Sequence, residues 1–223
     1  MRICDRQHNV LSGPLVVYGA GGHGKVVLDA ALTAEYEVHC VIDDAPSDAD
    51  LLGVKVLRAG TYKWPSARCV RFIVGVGANS VRARLFGVCV DRGIEPATIC
   101  HPTSLASPRC SLGGGVFLAA GAVVMVGAVV GDNVIINTGA SIDHDCHIGA
   151  HAHICPGVRL AGEVRVGEYT MIGTGASVLP GVRVGAHCVV GAGAVVNHDI
   201  PDHSVAIGLP ARVTRSVTPA DLV

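Results

Sequence analysis

The segment CSLGGGVFLAAGAVVMVGAVVGDNVIINTGASIDHD, residues 110–145, opens a pattern that continues without insertion or deletion to Asp199. Over fifteen six-residue blocks, the third position is always aliphatic and the first is small or β-branched. A six-residue period fits neither the 3.6-residue turn of an α-helix nor the alternation of a simple strand, but it is the period of a hexapeptide parallel β-helix. We therefore expect three blocks to form one triangular coil, with like residues stacked in internal ladders.

Composition agrees with this fold and limits the possible partners. The 223-residue chain is 50% apolar and contains 29 glycines but only 4% aromatic residues, which suits tight turns around a narrow core. Its formal net charge of −1 gives no sign of a surface for nucleic acid or anionic membranes. Ser111–Gly131 is uncharged and has roughly the length of a membrane span, but its glycines follow the six-residue repeat, so we expect no membrane span.

The cysteines and the first residues bear on the cellular compartment. The nine cysteines are odd in number, scattered and without a Cys-x-x-Cys spacing, and Cys110, Cys146 and Cys188 occupy the small first position of a block. Residues 1–13 lack the apolar region of a secretory signal. A protein of the reducing cytoplasm is the expectation.

The N-terminal third alternates strands and helices, which predicts a small parallel, Rossmann-like α/β domain. The predicted elements are strands over 15–18, 37–42, 72–76 and 96–99 and helices over 25–34 and about 80–92. This divides the chain into an N-terminal extension (1–13), an α/β domain (14–103), a β-helix (104–215) and a tail (216–223).

A glycine-rich motif follows the first predicted strand. Gly19, Gly21 and Gly24 satisfy Gly-x-Gly-x-x-Gly before a predicted helix, and Asp43 follows about twenty residues later. Glycines allow a ligand close to the backbone, and a helix N-terminus attracts phosphate. Only about four strands precede the repeat, too few for a full dinucleotide-binding fold, so the motif indicates a nucleotide-sugar pyrophosphate more than NAD. A dinucleotide and a purely structural turn are the alternatives.

Within the repeat, His144 and Asp145 are the candidate catalytic pair. Because Ile142 is the inward residue of their block, both fall on the turn, where side chains reach the surface. A histidine held beside a carboxylate is oriented and made more basic, as general-base catalysis of acyl transfer requires. A solvated turn that happens to be rich in histidine is the structural alternative. No Gly-x-Ser-x-Gly motif occurs, so a covalent acyl-enzyme is not indicated.

A zinc site is another interpretation of this region. His144, His147, His151 and His153 lie close together in sequence, and γ-class carbonic anhydrases hold zinc by histidines across a trimer interface of a hexapeptide-repeat fold. The α/β domain has no role in such an enzyme, so we expect no metal.

Together these features resemble the sugar O- and N-acetyltransferases of the left-handed β-helix superfamily that carry an N-terminal nucleotide-sugar-binding domain. The resemblance extends from Leu15 to Arg212 and rests, besides the hexapeptides, on Tyr18–Gly24, Asp43-Asp44, Gly77–Asn79, Ile142–Asp145 and Gly208–Arg212. Asp145 stands where amino-sugar members often have Glu, which is similar to the GDP-perosamine N-acetyltransferase branch. The left hand of the coil is implied by the resemblance, since a period of six does not determine it.

The resemblance implies a homotrimer with acetyl-CoA in the groove between adjacent chains and a nucleotide sugar held by the α/β domain. It implies that His144 accepts the proton of the attacking sugar amine and that Asp145 raises the basicity of His144. The implied substrate-binding residues are Gly21, Gly22, His23, Asp43, Asp44 and Gly77. The implied acetyl-CoA-binding residues are His153, Gly162, Thr174 and Ala192.

The predicted function is acetyl-CoA-dependent N-acetylation of the 4-amino group of a nucleotide-linked 4-amino-4,6-dideoxy sugar, with GDP-perosamine as first choice, for a cell-surface polysaccharide such as O-antigen. A UDP-linked 4-amino sugar, or O-acetylation of a sialic acid, keeps the fold and changes the acceptor. The alternatives from other classes are a metalloenzyme of the γ-carbonic-anhydrase type and a nucleotide-sugar-binding regulator without turnover.

Overall fold

The computed structural model describes residues 13–65 and 70–222. The predicted N-terminal extension therefore lies outside the described residues, apart from Gly13, and so does Val223 of the predicted tail. The N-terminal region forms β1 (Leu15–Tyr18), α1 (Gly22–Thr33), β2 (Val38–Asp43), β3 (Asp50–Leu51), β4 (Val54–Arg58), a 3-10 turn (Ala59–Thr61), β5 (Arg71–Val74), α2 (Asn79–Val90) and β6 (Glu95–Pro96).

These strands form one sheet in the order β3-β4-β2-β1-β5-β6. All pairings are parallel except that of β3 with β4, so the predicted parallel α/β fold is confirmed. The β3–β4 hairpin was not predicted, because it turns on Leu52 and Gly53 in left-handed conformations rather than on a recognisable turn dipeptide. The predicted strand over residues 96–99 is wrong in extent: β6 ends at Pro96, and the next strand belongs to the second part of the fold.

The second part is a parallel β-solenoid with three faces. The first face contains β7 (Ile99–Cys100), β10 (Phe117–Leu118), β13 (Ile135–Ile136), β16 (His153–Ile154), β19 (Met171–Ile172), β22 (Val189–Val190), β24 (Ser204–Gly208) and β25 (Ala211–Ser216). The second face contains β8 (Leu105–Ala106), β11 (Val123–Val124), β14 (Ser141–Ile142), β17 (Arg159–Leu160), β20 (Ser177–Val178) and β23 (Val195–Val196). The third face contains β9 (Ser111–Leu112), β12 (Val129–Val130), β15 (His147–Ile148), β18 (Arg165–Val166) and β21 (Arg183–Val184).

The register of the solenoid is the one that the repeat predicts. Phe117 pairs with Ile135, so one coil contains 135 − 117 = 18 residues, or three blocks. The third-position residues are all at most 7% exposed and form the internal ladders: Leu112, Leu118, Val124, Val130, Ile136, Ile142, Ile148, Ile154, Leu160, Val166, Ile172, Val178, Val184, Val190 and Val196.

The corners of the solenoid explain the glycines at the block ends. The sixth residue of each block from Gly115 to Gly193 has a positive φ, a conformation that glycine adopts without steric cost. Where the sixth residue is not glycine, it is often Asn, Asp or His, which tolerate this region better than β-branched residues do. Asp145 occupies such a corner with φ 59°.

The α/β region packs on the first face of the solenoid. Val27 and Leu28 of α1 share a hydrophobic cluster with Ile99, Phe117 and Ile135, and all five side chains are at most 1% exposed. The outward side of the first face is thus a core shared by both regions. No helix in residues 13–65 or 70–222 is long and apolar enough to cross a membrane.

The cysteines divide into two groups. Cys110, Cys146 and Cys188 carry free thiols and are buried in the solenoid, as their first-position placement predicts. Cys100, by contrast, is disulfide-bonded, which the scattered spacing did not predict.

Candidate active site

The glycines of the first motif have two different roles. A methyl group added at Gly24 would overlap the carbonyl oxygen of Gly19, and a Cβ on Gly75 would be 2.7 Å from the α-carbon of Gly24. Gly19, Gly24 and Gly75 therefore allow α1 to approach the ends of β1 and β5. They serve packing and have no space for a ligand.

Gly21, Gly22 and Gly77, which the sequence predicts as substrate-binding positions, lie on the open side of the same loops. No atom lies within 4 Å of the position that a Cβ would take on any of the three. Gly22 is the first residue of α1, whose first-turn N–H groups have no partner within the helix. A ligand phosphate can approach this helix end without displacing protein atoms.

His23, the remaining predicted residue of this motif, lies beneath that open side. Its ring packs edge-on against Phe117, with 5.6 Å between ring centroids, and Nε2 is buried without a hydrogen-bond partner among the described residues. Burial, with a smaller contribution from the charge of Arg82, lowers the pKa of His23 to about 4. His23 is therefore a neutral imidazole at physiological pH.

Asp43 and Asp44 lie at the end of β2, beside the glycine-rich loop. The Asp43 carboxylate accepts hydrogen bonds from the main-chain N–H groups of Ala20 and Ala45, both at 2.8 Å, and so holds the loop in place. Asp44 accepts a hydrogen bond from the Tyr18 hydroxyl at 2.7 Å. Both predicted substrate-binding carboxylates thus have protein partners, and Asp43 shapes the loop directly.

His153, predicted to bind acetyl-CoA, lies where the first face meets the α/β region. It is 9% exposed on the first face, its Nε2 is 3.1 Å from Nδ2 of Asn137, and its ring centroid is 6.1 Å from that of His23. Burial and the charge of Arg82 lower its pKa to about 3, against a smaller opposing effect of a hydrogen bond with the Gly77 backbone. Its side chain thus links the first face to His23 and to the loop of Gly77.

The candidate catalytic pair lies on the corner between β14 and β15. Nδ1 of His144 is 2.9 Å from Oδ2 of Asp145, and the two side chains are 51% and 61% exposed. The hydrogen bond with Asp145 is the main cause that raises the pKa of His144, and the charges of Asp143, Asp145 and Glu163 act in the same direction. With Nδ1 donating to Asp145, Nε2 is left as the proton-accepting atom.

Two glycines one coil away make room for this pair. A Cβ on Gly162 would overlap Nε2 of His144, and a Cβ on Gly127 would overlap Oδ1 of Asp145. Gly162, predicted to bind acetyl-CoA, therefore lies directly against the imidazole ring. The main-chain N–H of Gly162 donates no hydrogen bond within the described residues. The sequence did not single out Gly127, although its position 18 residues before Asp145 was available as a signal.

Thr174 and Ala192, the other predicted acetyl-CoA positions, lie on a different corner. Both are exposed between the first and second faces, and the N–H of Gly193 donates to the carbonyl of Thr174 across the two coils. His144 and Gly162 lie between the second and third faces. One chain therefore places Gly162 on one corner, Thr174 and Ala192 on another, and His153 on the first face.

The glycine-rich loop and His144 are on opposite sides of the chain. The α/β region covers the first face, whereas the corner of His144 joins the other two faces. In a triangular coil that corner lies opposite the first face. A sugar held at the loop of one chain therefore does not face His144 of the same chain.

The histidines considered as zinc ligands do not converge. His153 is buried against the α/β region, His144 is paired with Asp145, and Nδ1 of His151 is 2.8 Å from Nδ2 of Asn133. Among the described residues, no group of three or more His, Cys, Asp or Glu side chains is arranged to hold a metal ion.

Comparison with known proteins gives the family. The PglD N-terminal domain family matches residues 14–88, and the bacterial transferase hexapeptide family matches residues 127–162 and 163–198. The crystal structure of PerB from Caulobacter crescentus, in complex with CoA and GDP-perosamine, is 39% identical, with a TM-score of 0.85 over 91% of this chain and 98% of that chain. The chain belongs to the nucleotide-sugar N-acetyltransferase family of left-handed β-helix proteins.

Other acetyltransferases of this family are also similar to this chain. The acetyltransferase domain of PglB from Neisseria gonorrhoeae FA1090 is 35% identical, with a TM-score of 0.86 over 91% of this chain and 100% of that chain. The GDP-perosamine N-acetyltransferase of Escherichia coli O157:H7 is 26% identical over 153 residues, 66% of this chain and 69% of its own length. The family predicted from the sequence is confirmed: the chain is a sugar N-acetyltransferase, and its β-solenoid is left-handed.

Proposed function

We propose that the chain transfers the acetyl group of acetyl-CoA to the 4-amino group of GDP-perosamine, as a step in the synthesis of a cell-surface polysaccharide such as O-antigen. The observation that carries the proposal is the His144–Asp145 pair, in which Nδ1 is bound to the carboxylate and Nε2 lies over Gly162. The choice of sugar is supported by PerB, whose structure contains CoA and GDP-perosamine, and by the E. coli relative.

The chemistry requires one base. The lone pair of the sugar amine attacks the thioester carbonyl carbon, and Nε2 of His144 accepts the proton that the nitrogen loses. Collapse of the tetrahedral intermediate breaks the C–S bond, forms the amide and releases CoA, whose thiolate takes the proton back. Asp145 keeps the ring in the tautomer that leaves Nε2 free and stabilises the imidazolium. The N–H of Gly162, which has no acceptor in the part of the chain that the structure describes, is a donor available to the developing oxyanion.

The nucleotide is held on the other side of the chain. The free N–H groups at the start of α1 face the open space beside Gly21 and Gly22 and suit the diphosphate. His23 lies below as a neutral imidazole, and Asp43 shapes the loop through Ala20. These contacts favour no nucleobase, so a UDP-linked 4-amino sugar remains the second candidate.

We propose a homotrimer in which two chains complete each site. Since the loop and His144 of one chain are on opposite sides, the sugar held by one chain must meet His144 of its neighbour. The separation of Gly162 from Thr174 and Ala192 on two different corners agrees with a coenzyme that lies in a groove between chains. The division of the chain into a nucleotide-sugar-binding α/β domain and an acyltransferase β-helix that includes Ile99–Cys100, and a cytoplasmic location, are further parts of this proposal.

The test measures thiol release from acetyl-CoA with GDP- and UDP-linked 4-amino-4,6-dideoxy sugars and a sialic acid, for the wild type and His144→Asn. Rapid release with GDP-perosamine that the variant loses supports the proposal and His144 as base. Thiol release only with a UDP-linked sugar, or only with the sialic acid, would show that this compound and not GDP-perosamine is the acceptor. No release with any acceptor, together with stoichiometric zinc in the purified protein, would favour a metalloenzyme; tight nucleotide-sugar binding without turnover would indicate a regulator.

A further inference from the structure

α2 carries a deeply buried cation that none of the predicted roles uses. Arg82 is 1% exposed, and it is the sole buried Lys, Arg, Asp or Glu in residues 13–65 and 70–222. Burial lowers the pKa of Arg82 only to about 9, so its guanidinium is charged at neutral pH. Buried charges in proteins are normally paired with an opposite charge.

Arg82 has no carboxylate partner among the described residues, and its five N–H groups are satisfied by neutral acceptors. The acceptors, 2.7–3.3 Å from the donor nitrogens, are the main-chain carbonyls of Val76, Gly77, Asn133, His151 and Ala152 and the side-chain Oδ1 of Asn79. Two of these carbonyls belong to the loop between β5 and α2, and three belong to the solenoid. The guanidinium therefore fastens the loop to the solenoid while its charge stays uncompensated.

This arrangement orients two peptide groups of the loop. In a trans peptide the C=O and the following N–H point in opposite directions. Since the carbonyls of Val76 and Gly77 point at Arg82, the N–H groups of Gly77 and Ala78 point away from it. Neither N–H donates a hydrogen bond within the described residues, and the space beside Gly77 is open.

The charge of Arg82 also acts on the histidines beneath the glycine-rich loop. It contributes to the lowered pKa of both His23 and His153, which shows that its field reaches the side chains beneath the glycine-rich loop. A positive charge behind two outward N–H groups is an arrangement that binds anions.

We propose that Arg82 is a positioning residue for the diphosphate of the nucleotide sugar: it turns the N–H groups of Gly77 and Ala78 toward the ligand and supplies a compensating charge behind them. The inference rests on the proposed function, because it takes a nucleoside diphosphate as the ligand. Arg82 itself does not touch the substrate.

The test measures GDP and guanosine binding by calorimetry and the kinetics with GDP-perosamine, for the wild type, Arg82→Lys, Arg82→Met and the matched control Arg92→Met, whose residue is exposed just after α2. Without Arg82, the N–H groups of Gly77 and Ala78 should no longer be held toward the diphosphate. Loss of these two charge-assisted hydrogen bonds predicts GDP binding at least about tenfold weaker in both Arg82 variants, and Arg82→Met should bind GDP more weakly than Arg82→Lys. KM for the nucleotide sugar should rise by the same factor, while KM for acetyl-CoA and guanosine binding stay within about twofold. Folded Arg82 variants that bind GDP as the wild type does would overturn the inference.

A second measurement needs no substitution at Arg82. In wild-type protein labelled with 15N-glycine and 15N-alanine, the amide signals of Gly77 and Ala78 should shift with GDP and not with guanosine. Unchanged signals under saturating GDP would overturn the inference even if the Arg82 variants do not fold. Failure of the wild type to bind GDP or UDP at all would instead remove the proposed function, and the inference with it.

Discussion

The imidazole of His144 lies directly against Gly162, so closely that a Cβ on this glycine would overlap Nε2. The two residues are 18 apart, which is one coil of the solenoid. Gly162 does not have a positive φ, so alanine there adds contact without backbone strain. A substitution at Gly162 therefore changes the position of the imidazole ring and leaves its pairing partner Asp145 in the sequence.

Gly162→Ala should therefore displace the imidazole and lower kcat by at least about tenfold, because a 1 Å misplacement costs that much or more. KM for the nucleotide sugar should change little, since the substitution leaves the glycine-rich loop that is proposed to hold the nucleotide unaltered. Steady-state kinetics check this, with Gly87→Ala as the control because its Cβ position in α2 is open. Wild-type kcat in Gly162→Ala would show that the ring position in the structure is not the catalytic one.

Asp145→Asn should shift the pH profile in a defined direction. The hydrogen bond with Asp145 raises the pKa of His144, so its loss lowers that pKa. Activity requires the unprotonated ring, and the acid limb of kcat/KM should thus move to lower pH, while the plateau falls by about tenfold or more because the base is weaker. Asparagine tolerates the positive φ at this corner, which keeps the backbone unstrained. An unmoved acid limb would contradict the role of Asp145.

Two neighbouring glycines should respond oppositely to alanine. Gly24→Ala places a methyl group against the Gly19 carbonyl and should destabilise the fold by about 1–3 kcal/mol. Gly22→Ala, in the first turn of α1 with open space around it, should not destabilise and should weaken GDP binding. Thermal unfolding and calorimetric titration measure both. Equal stability of the two variants would refute the division into packing and ligand glycines.

Thr170 is the only polar residue at a first block position, and it should be needed there. Its Oγ1 donates to the Gly185 carbonyl at 2.6 Å and accepts from the Cys188 N–H at 3.0 Å. Thr170→Val keeps the shape but leaves both backbone groups unsatisfied, which should cost about 1–3 kcal/mol. Thr170→Ser, which keeps the hydroxyl, is the control. Equal denaturation midpoints for Thr170→Val and the wild type would show that the two hydrogen bonds contribute nothing to stability.

Mixing two inactive variants should restore activity if each site uses two chains. His144→Asn retains the loop, and a loop variant such as Gly77→Val retains His144. Random reassembly into trimers leaves about a quarter of the sites with both functional parts. Activity is measured after the two proteins are unfolded and refolded together, with each refolded alone as control. No recovery from mixtures that form trimers would place the whole site in one chain.

The fold was largely predictable because each six-residue block of the repeat specifies its own local structure. Each block contributes one inward residue and one corner, so the period alone specifies the register, the core ladders and the turns with positive φ. The hairpin of β3 and β4 and the assignment of Ile99–Cys100 to the solenoid were not predicted, since two-residue strands carry little periodicity.

The candidate site was predictable only in part. Sequence adjacency put His144 beside Asp145 on a turn, and the structure joins them at 2.9 Å. Sequence could not show that His153 lies with His23 and Gly77, or that Gly19 and Gly24 serve packing while Gly21 and Gly22 face open space. These distinctions depend on which loops meet across the two regions.

By itself, the sequence determined the solenoid, its interior and the pairing of His144 with Asp145, because repeats and adjacent residues act over short distances along the chain. Only the tertiary structure decided where that corner lies relative to the nucleotide loop, and which groups Arg82 joins. Arg82 donates hydrogen bonds to the carbonyls of Val76 and Asn133, which are far apart in sequence. Their contact exists because the α/β region packs on the first face, and burial of apolar side chains on that face decides the packing.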